Sequence, residues 1–511
     1  MLTGVFGYRD FRPGQEKIIA SVLAGHDCIG VMPTGAGKSL TFQIPARLLP
    51  GTVLVVSPLI SLMKDQVDAL ERTGFRATVL NSTLDPDSRR DRLRRMRAGE
   101  YELVYVAPEG LEGGLRGLLT GVRVSLVVVD EAHCISEWGH DFRPAYRRLR
   151  GLKEELGGVP ILALTATATR RVAADIIRQL GMVKPEGFKG SFFRQNLVLW
   201  AHKKGDGRGS RQDLLAYLRA RAGESGIIYT LSRKNVDSLA AFLRAAGLRA
   251  LPYHAGLDDA VRARNQEAFA RDRADVVVAT IAFGMGIDKS NVRYVIHREM
   301  PRSIESYYQE IGRAGRDGLA SDCILLYSWA DVLSHERMQE GIEDVDLRAA
   351  TAERTRAMYA LADASGCRHR RLVAYFDETL GACGTSCDHC RQQRLVDVLN
   401  ATARSRTSRE TSSGSARSAG AGRAGSSPRS VAPLEEGIVD PELFQRLRAT
   451  RRLLADAEGV PAYIVFSDAV LSRMAAVRPV DEVGLLAVSG VGPAKLARYG
   501  AAFLRTLREY P

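Results

Sequence analysis

Residues 27–31 read as a short apolar strand running into Met32-Pro33-Thr34-Gly35-Ala36-Gly37-Lys38-Ser39, with a helical pattern beyond. Glycines let backbone N–H groups close around phosphate oxygens, and a helix N-terminus adds its dipole. Lys38 would neutralise phosphate charge and Ser39 would offer a hydroxyl to Mg²⁺. About ninety residues on, Val127-Val128-Val129 delivers Asp130 and Glu131 to the end of a β-branched run. Asp130 would hold the magnesium through water, and Glu131 would polarise an attacking water. Each feature alone has a plainer reading, a Gly-rich turn or an acidic helix start. Together they read as a site that binds a nucleotide's phosphates and hydrolyses a phosphoanhydride.

A second cluster suits a metal. Cys367, Cys383, Cys387 and Cys390 follow a C-x15-C-x3-C-x2-C spacing, and four thiolates complete a closed tetrahedron around Zn²⁺. His369 or His389 could replace one ligand, but four thiolates are the simpler set. Cys28, Cys134 and Cys323 stand alone and read as packing residues. Seven cysteines in 511 residues are too few for a disulfide scaffold.

These groups need rigid elements to hold them. Short apolar runs at 52–57, 101–107, 122–129 and 161–165 alternate with amphipathic stretches. A second series follows at 226–230, 249–253, 275–280, 292–297 and 323–327. Alternating blocks of this kind predict an α/β protein with two open parallel sheets and ligands at the carboxyl ends of strands. Residues 401–433 hold nine Ser, seven Ala, six Arg and four Gly with a single acid, Glu410. That composition cannot offset its ordering entropy, so a flexible basic linker is expected. Helical periodicity resumes after Pro441. The net charge of +13 favours an anionic polymer as partner. No apolar run approaches the ~18–20 residues of a membrane helix and the first residues lack a signal-peptide pattern, so no membrane association and a cytoplasmic, nucleoid-associated location are expected.

Asp130-Glu131-Ala132-His133, continued by Cys134-Ile135-Ser136-Glu137-Trp138-Gly139-His140-Asp141-Phe142-Arg143-Pro144, resembles motif II and the aromatic-rich loop of RecQ-family DNA helicases. The remaining helicase motifs stand in order. Phe6 to Gln15 resembles motif 0, Ser57-Pro58-Leu59-Ile60-Ser61-Leu62 motif Ia, and Thr165-Ala166-Thr167-Ala168 motif III. Tyr229 to Arg233 is similar to motif IV, Ala279 to Lys289 to motif V, and Gln309 to Gly318 to motif VI. Met32 replaces the first glycine of the strict P-loop pattern, a position that helicases relax. The resemblance implies two RecA-like domains (1–190 and 191–333), a zinc-binding helical subdomain (334–393), a linker (394–436) and a helical HRDC domain (437–511).

Roles follow from the resemblance. Tyr8 and Arg12 would sandwich adenine while Gln15 reads its edge, which is sound chemistry for an aromatic face, a guanidinium and an amide. Thr34, Gly35, Ala36 and Gly37 would cradle phosphates, with Gly286 and Asp288 reaching the nucleotide from the second domain. Arg316 is the expected arginine finger, and Arg313 couples hydrolysis to motion. Trp138, His140, Phe142 and Arg143 would take a single strand by stacking and charge, with Ser57, Ser61 and Thr280 donating to backbone phosphates. Lys495, beyond Gly490-Val491-Gly492, is a candidate phosphate contact of the HRDC domain; the alternative is a tight helix–helix turn without ligand.

The implied activity is ATP-dependent 3′→5′ helicase action on single-stranded and forked duplex DNA in recombination and repair. The chain would act as a monomer, with single-stranded-DNA-binding protein as a further candidate partner. One departure stands out. The family carries a winged-helix domain before HRDC, and some forty mostly low-complexity residues cannot hold one. The alternative function is therefore a DNA-stimulated ATPase, translocase or strand-annealing remodeller with weak unwinding. The cysteine spacing also departs by one residue from the family's C-x2-C-x2-C, shifting loop geometry without removing a ligand.

Overall fold

The computed structural model describes residues 2–395 and 440–510, apart from 7, 9, 59, 82–83, 112–114, 140, 206–210 and 285–288; for residues 60–62 only the backbone is described. The predicted 394–436 linker thus lies almost entirely outside the described residues.

Two parallel sheets form the frame. The first holds β1 (Cys28–Val31), β2 (Thr52–Val56), β3 (Ala77–Leu80), β4 (Leu103–Val106), β5 (Val124–Val129), β6 (Ile161–Thr165) and β7 (Glu186–Lys189), ordered β3-β4-β2-β5-β6-β1-β7. The second holds β8 (Leu197–Lys203), β9 (Ser225–Tyr229), β10 (Ala250–Tyr253), β11 (Val276–Ala279), β12 (Val292–His297) and β13 (Ser321–Tyr327), ordered β10-β11-β9-β12-β13-β8. Central strands are buried on both faces, as helices on either side of a parallel sheet require. Val53 and Val55 face one apolar cluster while Leu54 and Val56 face the other, the period of two that a pleated strand imposes.

Sequence periodicity misses β3, β7 and β8. β3 is four residues long, and β7 (Glu-Gly-Phe-Lys) lies at a sheet edge with alternate residues exposed. β8 is an edge strand that acquires its pairing from β13, more than a hundred residues away.

One apolar cluster runs from a face of the first sheet through Phe192 to the second sheet and the cysteine-bearing helices. Phe192 stacks on Phe376 at 4.3 Å between ring centres, nearly parallel. Cys387 pairs by a backbone bridge with Leu199 of β8, and Ala201 N–H donates to Asp388 at 3.0 Å. The cysteine module is therefore welded to the edge of the second sheet.

The C-terminal helices, Pro441–Glu458, Ala462–Val465, Asp468–Val477, Glu482–Ala487 and Pro493–Arg508, enclose their own core around Phe466 and Phe503. This module also docks on the second sheet domain. Arg451, almost fully buried, donates to the Phe466 carbonyl (2.9 Å) and to Asp468 (2.7 Å), and reaches Asp272 at 3.5 Å. Asp272 is also the ion-pair partner of Lys289. Arg448 donates to the Gly223 carbonyl at 3.0 Å and Arg271 to that of Gly459 at 2.9 Å. Among the described residues no helix is long and apolar enough to cross a membrane.

Candidate active site and nucleic-acid interface

The phosphate loop joins β1 to the helix Leu40–Leu48, with Gly35 and Gly37 at φ 83° and 78°. Those left-handed positions are where glycine is needed. Lys38 Nζ donates to the Met32 carbonyl at 3.3 Å, poised over the loop it serves. Gln66 donates to Ser39 Oγ at 3.2 Å and accepts from the Tyr105 hydroxyl at 2.9 Å, orienting the hydroxyl assigned to magnesium. Arg12 donates to the Gly35 carbonyl, and Gln15 to those of Gly37 (2.9 Å) and Ala36 (3.3 Å). Two of the three adenine candidates, Arg12 and Gln15, thus fold over the phosphate loop, while the third, Tyr8, stays half exposed.

Asp130 continues the β5 ladder, its N–H donating to the Val56 carbonyl at 2.9 Å. Burial and the neighbouring Glu131 carboxylate push its carboxyl well above the usual range, with Lys38 partly offsetting them. A buried carboxyl so raised, beside Glu131 Oε2 that has no hydrogen-bond donor, is a donor set that suits a divalent cation. Glu131 sits at φ 47°, a costly conformation for a non-glycine residue and typical of strain held at functional sites. His133 is buried, and desolvation pulls its pKa down to about 4, so it stays neutral. Its Nδ1 lies 2.9 Å from Thr165 Oγ1; that hydroxyl accepts from Thr167 N–H at 3.2 Å, and Gln309 donates to Thr167 Oγ1 at 3.3 Å. Gln309 belongs to the second sheet domain, so the chain of polar contacts crosses the cleft.

The segment after helix Ile304–Ile311 lies on the phosphate loop. A side chain added at Gly35 would meet that of Arg316 at 3.5 Å, and one added at Gly312 would meet Thr34 at 3.1 Å. Arg313 points the other way and is buried, 3.1 Å from where a Gly284 side chain would stand. Two arginines three residues apart therefore occupy different places, one at the cleft and one inside the second domain.

The sulfurs of Cys367, Cys383, Cys387 and Cys390 all lie within 4.8 Å of one another, with Cys383 and Cys387 at 3.5 Å. A zinc–sulfur bond of ~2.3 Å implies tetrahedral edges of ~3.8 Å, so the set fits zinc. Backbone N–H groups of Arg370 and Cys390 point at the sulfurs of Cys367 (3.5 Å) and Cys387 (3.4 Å), the support thiolate ligands use. His369 turns away, its Nε2 lying 3.0 and 3.1 Å from the carbonyls of Leu197 and Ser386.

Comparison with known families assigns residues 12–176 to the DEAD/DEAH box helicase family and 210–318 to the helicase conserved C-terminal domain. Residues 329–391 match the RecQ zinc-binding family and 440–507 the HRDC domain. The ATP-dependent DNA helicase RecQ of Bacillus subtilis is 37% identical over 585 aligned positions, covering 100% of this chain and 98% of the relative. The chain belongs to the RecQ family of ATP-dependent DNA helicases. RecQ of Haemophilus influenzae is 36% identical, with 100% and 95% covered. The solved structure of the helicase MrfA bound to DNA superposes with a TM-score of 0.50 at 18% identity, covering 62% of this chain and 46% of that one; this likeness concerns the fold alone.

In this RecQ chain the aromatic loop abuts the carboxylates. Trp138 is 47% exposed, with the Arg171 guanidinium 3.3 Å from its ring centre. Phe142 lies under Arg147, and neither aromatic belongs to an apolar core cluster. A side chain at Gly139 would strike the His133 carbonyl at 2.5 Å, and the Tyr146 hydroxyl donates to the Asp130 carbonyl at 2.9 Å. The loop is thus packed directly on the backbone that carries the carboxylates. Arg143 pairs with Asp141 at 3.2 Å.

Other predicted site residues fare differently. Lys495 is corrected: its Nζ donates to the carbonyls of Ile464 (2.7 Å) and Val465 (3.0 Å), and burial pulls its pKa down to about 8. It closes the end of the helix Ala462–Val465 and does not face a phosphate. Ser57 is buried just past the end of β2, 2% exposed. Thr280 Oγ1 accepts from Ala282 N–H at 3.4 Å, at the start of motif V. His140, Gly286, Asp288 and the side chain of Ser61 lie outside the described residues. Sequence reasoning missed Gln66, Tyr146, Arg194 and the Gln309–Thr167 contact. Each acts on a distant partner, and no local spacing signals it.

Proposed function

We propose that this RecQ helicase moves 3′→5′ along single-stranded DNA, gripping it with both sheet domains, and excludes the other strand at a fork. The observation that carries the reading is the seating of Arg316 on the phosphate loop across the cleft. Lys38 and the loop N–H groups bind phosphates, Ser39 and Asp130 hold magnesium, Glu131 orients the water, and Arg316 meets charge developing on the transferred phosphoryl group. When bound, magnesium and ATP supply the charge and the anhydride that this constellation is built to cleave. Closing the cleft around ATP completes the site, and opening it after hydrolysis resets one grip.

The aromatic loop is the proposed sensor of DNA. A base stacked on the open face of Trp138 orders the loop, and through Gly139 and Tyr146 fixes the backbone at Asp130 and Glu131. Trp138→Ala combined with Phe142→Ala should then leave basal ATP hydrolysis within about twofold and remove most DNA stimulation, since stacking contributes ~1–3 kcal/mol per base. ATPase titrations with single-stranded DNA check this, and wild-type stimulation in the variant would refute the coupling.

A second reading concerns strand separation. The Bacillus subtilis relative aligns over 585 positions against 511 residues here, and 396–439 is too short for a winged helix. Opening a base pair costs ~1.4 kcal/mol on average, within reach of one ATP, so the motor has energy to spare but, among the described residues, no winged helix to stop reclosure. Unwinding should need a 3′ single-stranded tail and fall steeply with duplex length while DNA-stimulated ATPase stays robust. Parallel ATPase and unwinding assays on forked and blunt duplexes test both points. Efficient opening of long blunt duplexes would defeat this reading.

A further inference from the structure

Arg194 stands in the segment joining the two sheets, between the residues matched by the two helicase families. Its guanidinium spans both domains. Nη1 donates to the carbonyls of Thr34 in the phosphate loop (3.3 Å) and of Gly312 (3.3 Å) in the arginine loop, the segment 312–316 that carries Arg313 and Arg316. Nη2 donates to Ala314 (3.0 Å) and Gly315 (2.7 Å). Nε is oriented by Asn196 Oδ1 at 3.4 Å, and Asn196 in turn donates to the Gly315 carbonyl at 2.9 Å and that of Leu319 at 3.0 Å.

Burial lowers the Arg194 pKa, and Arg316 and Arg12 nearby act in the same direction. Among the described residues no carboxylate pairs with it; carbonyl dipoles carry the compensation. A buried cation held this way is costly to keep unless its position matters. A planar fork spreads five N–H donors over three nitrogens and so reaches carbonyls of two loops at once; a lysine ammonium carries its three donors on one nitrogen. The anchoring sites are also telling, because Gly312, Ala314 and Gly315 bracket Arg313 and directly precede Arg316.

We propose that Arg194 is a positioning residue for ATP hydrolysis, a strut that sets the distance and register between the phosphate loop and the arginine loop. It touches neither phosphate nor water. Its effect passes through Arg316, so the proposal rests on Arg316 being the finger. Losing the strut leaves Lys38 and the glycine N–H groups in place, so ATP still binds, while the arginine loop no longer presents its charge to the transition state.

The test uses the full chain with saturating single-stranded DNA. Arg194→Met should lower kcat about 10²-fold, a fraction of the ~10³–10⁵ a finger supplies, with the equilibrium Kd for ATP within about threefold of wild type. Arg194→Lys, which keeps the charge, should lose about tenfold and serves where the methionine variant does not fold. The deciding measurement is the double variant Arg194→Met with Arg316→Ala. If Arg194 acts through Arg316, the double variant is no slower than Arg316→Ala alone. Multiplying losses, a kcat within twofold of wild type for Arg194→Met, or loss of ATP binding in parallel with kcat would each overturn the strut. Wild-type kcat in Arg316→Ala alone would instead remove the finger reading.

Discussion

Lys38→Ala and Glu131→Gln are each expected to reduce ATP turnover by about 10³-fold or more, roughly 4 kcal/mol of transition-state stabilisation, and to separate in ATP binding. In the proposed mechanism Lys38 contacts phosphate already in the ground state. In the structure its ammonium is parked on the Met32 carbonyl at 3.3 Å, a weak contact that phosphate oxygens would replace. A charge-assisted hydrogen bond contributes ~1.5–3 kcal/mol, so Lys38→Ala should weaken ATP affinity about 10- to 100-fold. In the proposed mechanism Glu131 holds no phosphate and serves the attacking water; its backbone is strained and its Oε2 receives no hydrogen bond. The glutamine keeps the shape and loses the charge, so ATP should bind within about threefold of wild type. Titration with a fluorescent ATP analogue beside steady-state hydrolysis gives both numbers. Normal hydrolysis by either variant would sink the site assignment.

Cys387→Ser is expected to yield an insoluble or protease-sensitive chain, and metal analysis of the wild type should find about one zinc per chain. Structural zinc in small modules binds with an apparent ~10–16 kcal/mol that is also folding free energy, against a whole-domain stability of ~5–15 kcal/mol. Cys387 is fully buried and its backbone pairs with Leu199 in β8. Its loss therefore reaches the second sheet, where the arginine loop is held, and is not confined to the cysteine helices. Purified wild-type protein that is soluble and metal-free would overturn the four-thiolate site.

Much of this was legible in the order of residues. The phosphate loop and the Asp130–Glu131 pair are contiguous, and three of the four cysteines fall within eight residues, so their chemistry follows from residue type and local spacing. The alternating strand–helix pattern likewise announces two parallel sheets, because strands buried on both faces must be continuously apolar. What failed or stayed hidden depends on partners far along the chain. β8 takes its pairing from β13. Lys495 looks like a surface cation in sequence, and folding aims it at the carbonyls of a helix thirty residues earlier. Ser57 reads as a free hydroxyl in sequence, and folding buries it just past the end of β2. The docking of Arg451 on Asp272 joins residues from separate modules.

Arg194 is the sharpest case. Its acceptors are backbone carbonyls, which every residue type supplies, so nothing in the composition of either loop marks them as its partners. Side-chain chemistry is written into residue identity and can be read locally. Backbone acceptors and burial acquire meaning from the path of the chain, which is set when hundreds of distant contacts form together.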